Sequence, residues 1–332
     1  MQKEIRLSGT IRKKQNSITR ILLTPEISIL IPLLILCVIT GIMKPNFFKW
    51  MNLSSIIRYT AFYGVLSIGQ AVVIMSGEID LSVGCNAGFA GIIFGVAAVQ
   101  WGWGPIPAIL FAIAAGAAIG FINGYLVSKF GLVNFISTLA TMYVCRGLQT
   151  AFSGGAPVGP LPDYYAKITE TQPLTLSWLF FIMLALLLIT EVIIRYTTIG
   201  RNLLAVGGNK EASLMAGVNV IKVKWGAYVF AGIMAAICGI FWALDMQSAN
   251  HDAGQGGEFR TITACAVGGI SLAGVVGTII GAGIGVLLLL VLQNSLQALA
   301  VESNLQLVFI GVILIAAVLV DILRKKLASK NV

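Results

Sequence analysis

The residues of this 332-residue chain that could carry out covalent chemistry are few and scattered. Glu78 and Asp80 stand two apart in the run GEIDLSVG, and paired carboxylates can serve general acid and base work. No nucleophile or set of metal ligands accompanies them. The one histidine, His251, lies beside Asp252 in HDAGQGGEFR. One imidazole and one carboxylate do not make a metal site, so His251 reads as a solvated loop residue. Cys37, Cys85, Cys145, Cys238 and Cys265 each fall inside an apolar stretch with no CxxC pair, and read as inert helix residues. No GxxxxGK[ST] run occurs, so the usual loop that cradles ATP phosphates is missing. An integral membrane enzyme would need a nucleophile or metal constellation, and the sequence supplies neither.

Composition explains what the chain is built for instead. Hydrophobic residues make up 58% and charged residues 11%, and the mean hydropathy is +0.92. A water-soluble protein of this length needs far more charge to cover its surface, whereas lipid-facing helices need none. The expected class is an all-α integral membrane protein. The net charge of +9 could suggest nucleic acid, but the basic residues gather at segment ends and in the tails, which membrane orientation explains better.

A bilayer core of about 30 Å takes roughly 20 helical residues. That ruler predicts about ten transmembrane helices, near 27–43, 54–76, 81–99, 106–128, 133–152, 176–195, 223–245, 261–274, 276–299 and 304–323. The eighth is too short to cross upright, and such a segment is a half-helix or is shielded by neighbours. The domain plan is a tail over 1–26, a transmembrane domain over 27–323 and a tail over 324–332. The basic start, Lys3 to Arg20, precedes a stretch of spanning length and reads as leading into a retained first span rather than a secretory signal. With both termini inside, sixteen of the 22 basic residues fall on the inner side, which is the positive-inside bias. The longest polar segments are then an outer loop near 153–175, read as a loop or short re-entrant piece, and an inner loop near 196–222.

GAAIG at Gly116 to Gly120 recurs as GAGIG at Gly281 to Gly285, an offset of 165. A weaker match aligns Ser76 to Gly88 with Gly256 to Gly268. Each half would hold five spans, and an odd number inverts one half relative to the other. The expected architecture is two inverted five-helix halves.

The inner loop reads IGRNLLAVGGNKEASLMAGVNVIKVK. Within it, Asn209 to Gly217 has the marks of a short capped helix. Asn209 can accept free backbone N–H groups, Lys210, Glu211, Ala212, Ser213, Leu214, Met215 and Ala216 mostly favour helix, and Gly217 sits where a left-handed residue ends it. Under two turns, it must pack on something, and Leu214 and Met215 need a partner surface.

These residues resemble the E-A-A-x-x-x-G coupling loop of ATP-binding-cassette importer permeases. GEIDLSVG, IGRNLLAVGGN, AGVNV and VGGISLAGVVGTIIGAGIG are similar to the ribose/galactose/allose group of that family, from about residue 27 to 323. One departure is Val275, where many members carry a second Gly. The resemblance implies a permease subunit in a bacterial inner (plasma) membrane, with both termini cytoplasmic. It further implies a second permease copy or paralogue, a separate cytoplasmic ATPase that binds the ATP, and an extracytoplasmic sugar-binding protein. The solute would be a sugar, with autoinducer furanoses, inositol or nucleosides as alternatives. No cofactor, metal or nucleic acid is implied for this chain.

Two further groups carry alternatives. In Gly77, Glu78, Asp80, Ser82 and Gly84, Asp80 can cap the incoming helix, or the motif can serve gating or ATPase contact. Asn134, Ser137, Thr138, Thr141, Cys145 and Gln149 share one helical face, with Arg146 beside it. That face, like the patch Gln293, Asn294 and Gln297, either bonds neighbouring helices or lines a path for a hydroxylated solute. An ion-coupled secondary transporter is the rival reading, but it would place an acid near the bilayer midplane, and none is seen.

Overall fold

A computed structural model of the chain describes residues 25–165, 176–274 and 276–329, and its regular structure is helical throughout those residues apart from one isolated bridge between Val158 and Ala249. In chain order the helices are α1 (Pro25–Met43), α2 (Trp50–Met75), α3 (Val83–Gly95, prolonged as a π-turn by Val96–Gln100), α4 (Pro105–Ser128) and α5 (Asn134–Ser153). They continue with α6 (Trp178–Tyr196), α7 (Thr198–Gly208), α8 (Lys210–Met215), α9 (Val220–Met246), α10 (Gly257–Val267), α11 (Ile279–Ala298) and α12 (Ser303–Ser329). Six are long and apolar enough to cross a membrane, namely α2, α3 with its π-turn, α4, α6, α9 and α11. Long side chains such as Leu34, Ile42, Ile106, Val312 and Ile315 are exposed on α1, α4 and α12, as lipid-facing surfaces require.

Four sequence expectations are corrected. The short eighth segment is helical over Gly257–Val267 rather than 261–274, because Gly256 (φ +73°) starts the turn and Gly268 and Gly269 end it. The first part of the 196–222 loop is itself helical. Thr197 accepts from the N–H of Gly200 at 3.4 Å and starts α7, which buries Leu203 and Val206. Asp80 does not cap α3. Its Oδ1 accepts from the N–H and the hydroxyl of Ser82, at 2.7 and 2.6 Å, and so fixes the turn ahead of the helix. His251 is half-buried rather than fully solvated. Val275 and residues 166–175 of the outer loop lie outside the described residues.

Packing explains the glycine content. α3 is buried on every face, as a helix apolar all round must be. It crosses α9 where Gly239 meets the backbone of Ala87 and Gly91, so two main chains touch with no side chain between them. Gly116 and Gly120 of α4 press on Gly232 and Tyr228 of α9 in the same way, while Gly281 and Gly285 of α11 press on Ala264 of α10 and on Gly268 just after it. Both G-x-x-x-G pairs are therefore helix-contact points. The weaker match is not locally equivalent, since α10 is already helical at Gly257 whereas the first stretch stays non-helical until Val83.

A methyl group at position 239 would overlap the Ala87 carbonyl, so Gly239→Ala should destabilise the purified protein by about 1–3 kcal/mol. Gly147, helical and facing open space, should instead gain about 0.5–1 kcal/mol on replacement by Ala. Thermal midpoints in detergent should move in opposite directions for the two variants.

Candidate functional site

The inner loop folds as the residue types dictate. The Asn209 side chain accepts from the N–H of Ala212 at 2.9 Å, a side-chain cap at the start of α8. At the other end, the Val218 N–H reaches the Ser213 carbonyl and the Gly217 N–H the Leu214 carbonyl, both at 3.0 Å, with Gly217 at φ +80°. That is the paired bonding of a Schellman ending. Ser213 is buried and anchors the helix, whereas Leu214 is 53% and Met215 91% exposed. Two large apolar side chains thus project from a helix held rigid at both ends.

The GEIDLSVG motif sits directly against this loop. Gly77 (φ +82°) approaches Gly207 at the end of α7, and Gly207 also abuts the Met75 carbonyl and Gly274. Glu78 forms an ion pair with Lys224, four residues into α9 and just beyond α8, with the side chains only 10% and 14% exposed. Tyr228, fully buried on α9, reaches the Ile79 carbonyl at 3.4 Å. Burial pushes the Asp80 carboxyl up to about 6, against the opposing pull of the Ser82 hydroxyl and N–H. The motif is therefore bolted to the start of α9.

The α5 face is buried against its neighbours. The Thr141 hydroxyl donates to Asn123 Oδ1 at 2.7 Å, Asn123 Nδ2 to Ser82 Oγ at 2.8 Å, and Ser82 to Asp80, so the face continues into the motif. Gln149 donates to the Cys85 carbonyl of α3, and Thr138 bonds the Asn134 carbonyl of its own helix. Ser137 is buried, with no hydrogen-bond partner for its hydroxyl. Asn134, half-buried, accepts from Phe135. Arg146 lies in the electrostatic reach of Glu258. Thr141 and Gln149 thus bond neighbouring helices, whereas Asn134 and Thr138 bond within α5.

The second polar patch is open. Gln293, Asn294 and Gln297 border a cavity of about 220 Å³ between α2, α10 and α11. Arg260 donates to Gln293 Oε1 at 2.6 Å and stacks over the Tyr63 ring at 5.3 Å, while Asn294 exchanges two amide bonds with Asn52 at 2.8 and 3.0 Å. The cavity occupies the Ser55 to Tyr63 stretch of α2, about 18–30 Å along the helix from Met75 at the motif end. The two sites thus lie toward opposite ends of the bundle.

Sequence reading missed several of these residues. Lys224 counted only as an inner charge and Arg260 as an outer one. Asn123 and Glu191 are polar residues in apolar stretches, which is itself a signal. Glu191 of α6 accepts from the N–H groups of Ile279 and Ile280, at 2.7 and 3.3 Å, and so caps α11 from another helix. Among the described residues no group of three or more His, Cys, Asp or Glu is placed to hold a metal ion.

Comparison with known proteins places residues 52–318 in a match to the family model described as branched-chain amino acid transport system / permease component. The chain is 35% identical over 296 residues to the ribose import permease protein RbsC of Escherichia coli K12, covering 88% of this chain and 92% of that one. It is 31% identical over 305 residues to the L-arabinose transport system permease protein AraH of the same strain, covering 91% and 92%. It is 30% identical over 296 residues to the autoinducer 2 import system permease protein LsrC of Photorhabdus luminescens, covering 89% of each. No solved structure matches the chain.

Removing one member of the buried Glu78–Lys224 pair leaves the other charge without its partner, at a cost of about 3–5 kcal/mol. Glu78→Gln and Lys224→Met should each lower the thermal midpoint in detergent, and the double variant should be destabilised by less than the sum of the two. Strict additivity would remove the pair from the junction.

Proposed function

The chain belongs to the family described as branched-chain amino acid transport system / permease component, and we propose that within it the chain is the membrane subunit of an ATP-driven sugar importer. Its relatives include permeases named for ribose and L-arabinose. A separate cytoplasmic ATPase docks on α8, an extracytoplasmic binding protein delivers the solute, and a second permease copy or paralogue completes the pathway. This chain then needs no phosphate-binding loop of its own. The relative named for autoinducer 2 import keeps a sugar-like furanose as the alternative solute.

One observation carries the coupling role. Met215 and Leu214 stand exposed on a doubly capped helix that is too short to be stable alone, and exposed apolar side chains on a rigid element mark a surface made for a partner. The Glu78–Lys224 pair and the Gly77–Gly207 contact offer a physical route from that helix into α2 and α9.

The same reading holds ten spans over 27–323, both termini cytoplasmic and two inverted halves. In support of the halves, the helix contacts repeat. α4 packs on α9 as α11 packs on α2, α3 on α9 as α10 on α2, and α5 on α3 as α12 on α10. In support of the orientation, the inner tails and loops gather the basic residues.

Two experiments test this. Met215→Cys, with the half-exposed Cys37 replaced by Ser and the four remaining cysteines buried, should be labelled by an impermeant reagent in inside-out vesicles and not in intact cells. Labelling from outside would reverse the orientation. Gly217→Val places a β-branched residue at φ +80°, at a cost of about 1 kcal/mol or more, and Glu211→Lys reverses a charge at the first turn of α8. Both variants should insert normally and lose sugar-stimulated ATP hydrolysis and uptake together. Full transport in both, with the ATPase assembled, would reduce α8 to an ordinary connection.

A further inference from the structure

The cavity between α2, α10 and α11 has a lining that selects among solutes. Its polar side chains are Tyr59 and Tyr63 of α2, Arg260 of α10, and Gln293, Asn294 and Gln297 of α11, together with the Ser55 hydroxyl. The amides and hydroxyls offer both donors and acceptors, and Arg260 offers donors only. No carboxylate lines the cavity, and none among the described residues stands within 4.0 Å of Arg260. An amino acid's carboxylate would meet Arg260, but its ammonium group would be brought to a lining with no anion to pair it. A sugar brings hydroxyls that donate and accept, and a C–H face that can lie on a tyrosine ring.

Size and support agree with that choice. About 220 Å³ is below the roughly 300–1,000 Å³ of drug-sized pockets, as a monosaccharide would require. The key side chains are held before any solute arrives. Arg260 is fixed between Gln293 and the Tyr63 ring, and Asn294 by its double bond to Asn52. Pre-positioned groups spare the ordering cost of binding.

Resting on the sugar-import reading, we propose that this cavity is a low-affinity subsite for a neutral monosaccharide within the permease itself, with Arg260 and the α11 amides taking its hydroxyls and the exposed Tyr59 its ring. It discriminates against zwitterionic amino acids, in contrast to the description of the family model. The subsite lies toward the end of the bundle opposite α8, where a solute entering from a binding protein would first be held.

The test is protection of an introduced thiol in the full-length chain, reconstituted in phosphatidylcholine vesicles with Cys37→Ser. Gln297→Cys, and separately Ser55→Cys, would be labelled with a small neutral maleimide in the presence of D-ribose, L-arabinose or L-leucine. D-ribose or L-arabinose, at about ten times its dissociation constant, should slow labelling at both positions by about tenfold, while leucine leaves the rate unchanged. Tyr59→Leu should raise the sugar concentration for half-protection by about three- to tenfold, the worth of one ring contact. Uptake by the chain assembled with its ATPase and binding protein separates the two readings. If neither sugar protects while the assembled complex still imports one, the subsite is overturned and the sugar importer stands. If leucine protects and is the solute imported, both fall.

Discussion

Backbone contact between helices is the constraint on which the rest of this molecule depends. Lipid offers no hydrophobic drive to press one apolar helix on another, so association relies on van der Waals fit and on internal polar bonds. Here the fit is made where side chains are absent. Gly239 against Ala87 and Gly91 brings α9 onto α3, and Gly116 and Gly120 bring α4 onto α9. With α3 enclosed on every face, the turn that precedes it, and with it Glu78 and Asp80, is held against neighbouring helices rather than left at a free edge.

From that centre the two ends of the bundle acquire different chemistry. At one end Gly207 of α7 meets Gly77 and Gly274 in a tight glycine junction, and the Glu78–Lys224 pair ties it to the start of α9. At the other, the ends of α2 and α9 are tied by Arg58 and Asp245 at 3.5 Å, and the cavity opens beside them. α2 and α9 also pack on each other and run the length between. A displacement of the α8 region would therefore reach the cavity through two continuous helices. Under the coupling role proposed for α8, those two helices are the link between the ATPase contact and the cavity.

What could be read from the sequence divides by range. The α8 caps were legible because Asn209 and Gly217 act on backbone groups within a few residues. The positions of most helices were legible because apolar length is a local property. The start of α10 was not, since the polar residues Glu258 and Arg260 look like loop until their tertiary partners are known. Asp80 was read as a helix cap because a carboxylate just ahead of a helix often is one, but Ser82 competes for it at shorter range. The cavity was only half visible. Gln293, Asn294 and Gln297 share a short stretch of α11, whereas Tyr59, Tyr63 and Arg260 join them only through the packing of α2 and α10.

The two polar surfaces that the sequence left equivalent are not equivalent in the fold. On α5, Thr141 and Gln149 spend hydrogen bonds on Asn123 of α4 and the Cys85 carbonyl of α3, so these two side chains tie α5 to both neighbours. A solute moving along it would have to replace bonds that hold the core together. On α11, the bonds of Gln293 and Asn294 secure cavity walls and leave open volume beside them. A path must offer polar groups without depending on the solute to satisfy them, or release would cost as much as binding gains. The α11 cavity meets that condition, because its most charged side chain, Arg260, already has Gln293 and the Tyr63 ring when the cavity is empty. A neutral solute can add hydrogen bonds there and leave again without stranding a charge.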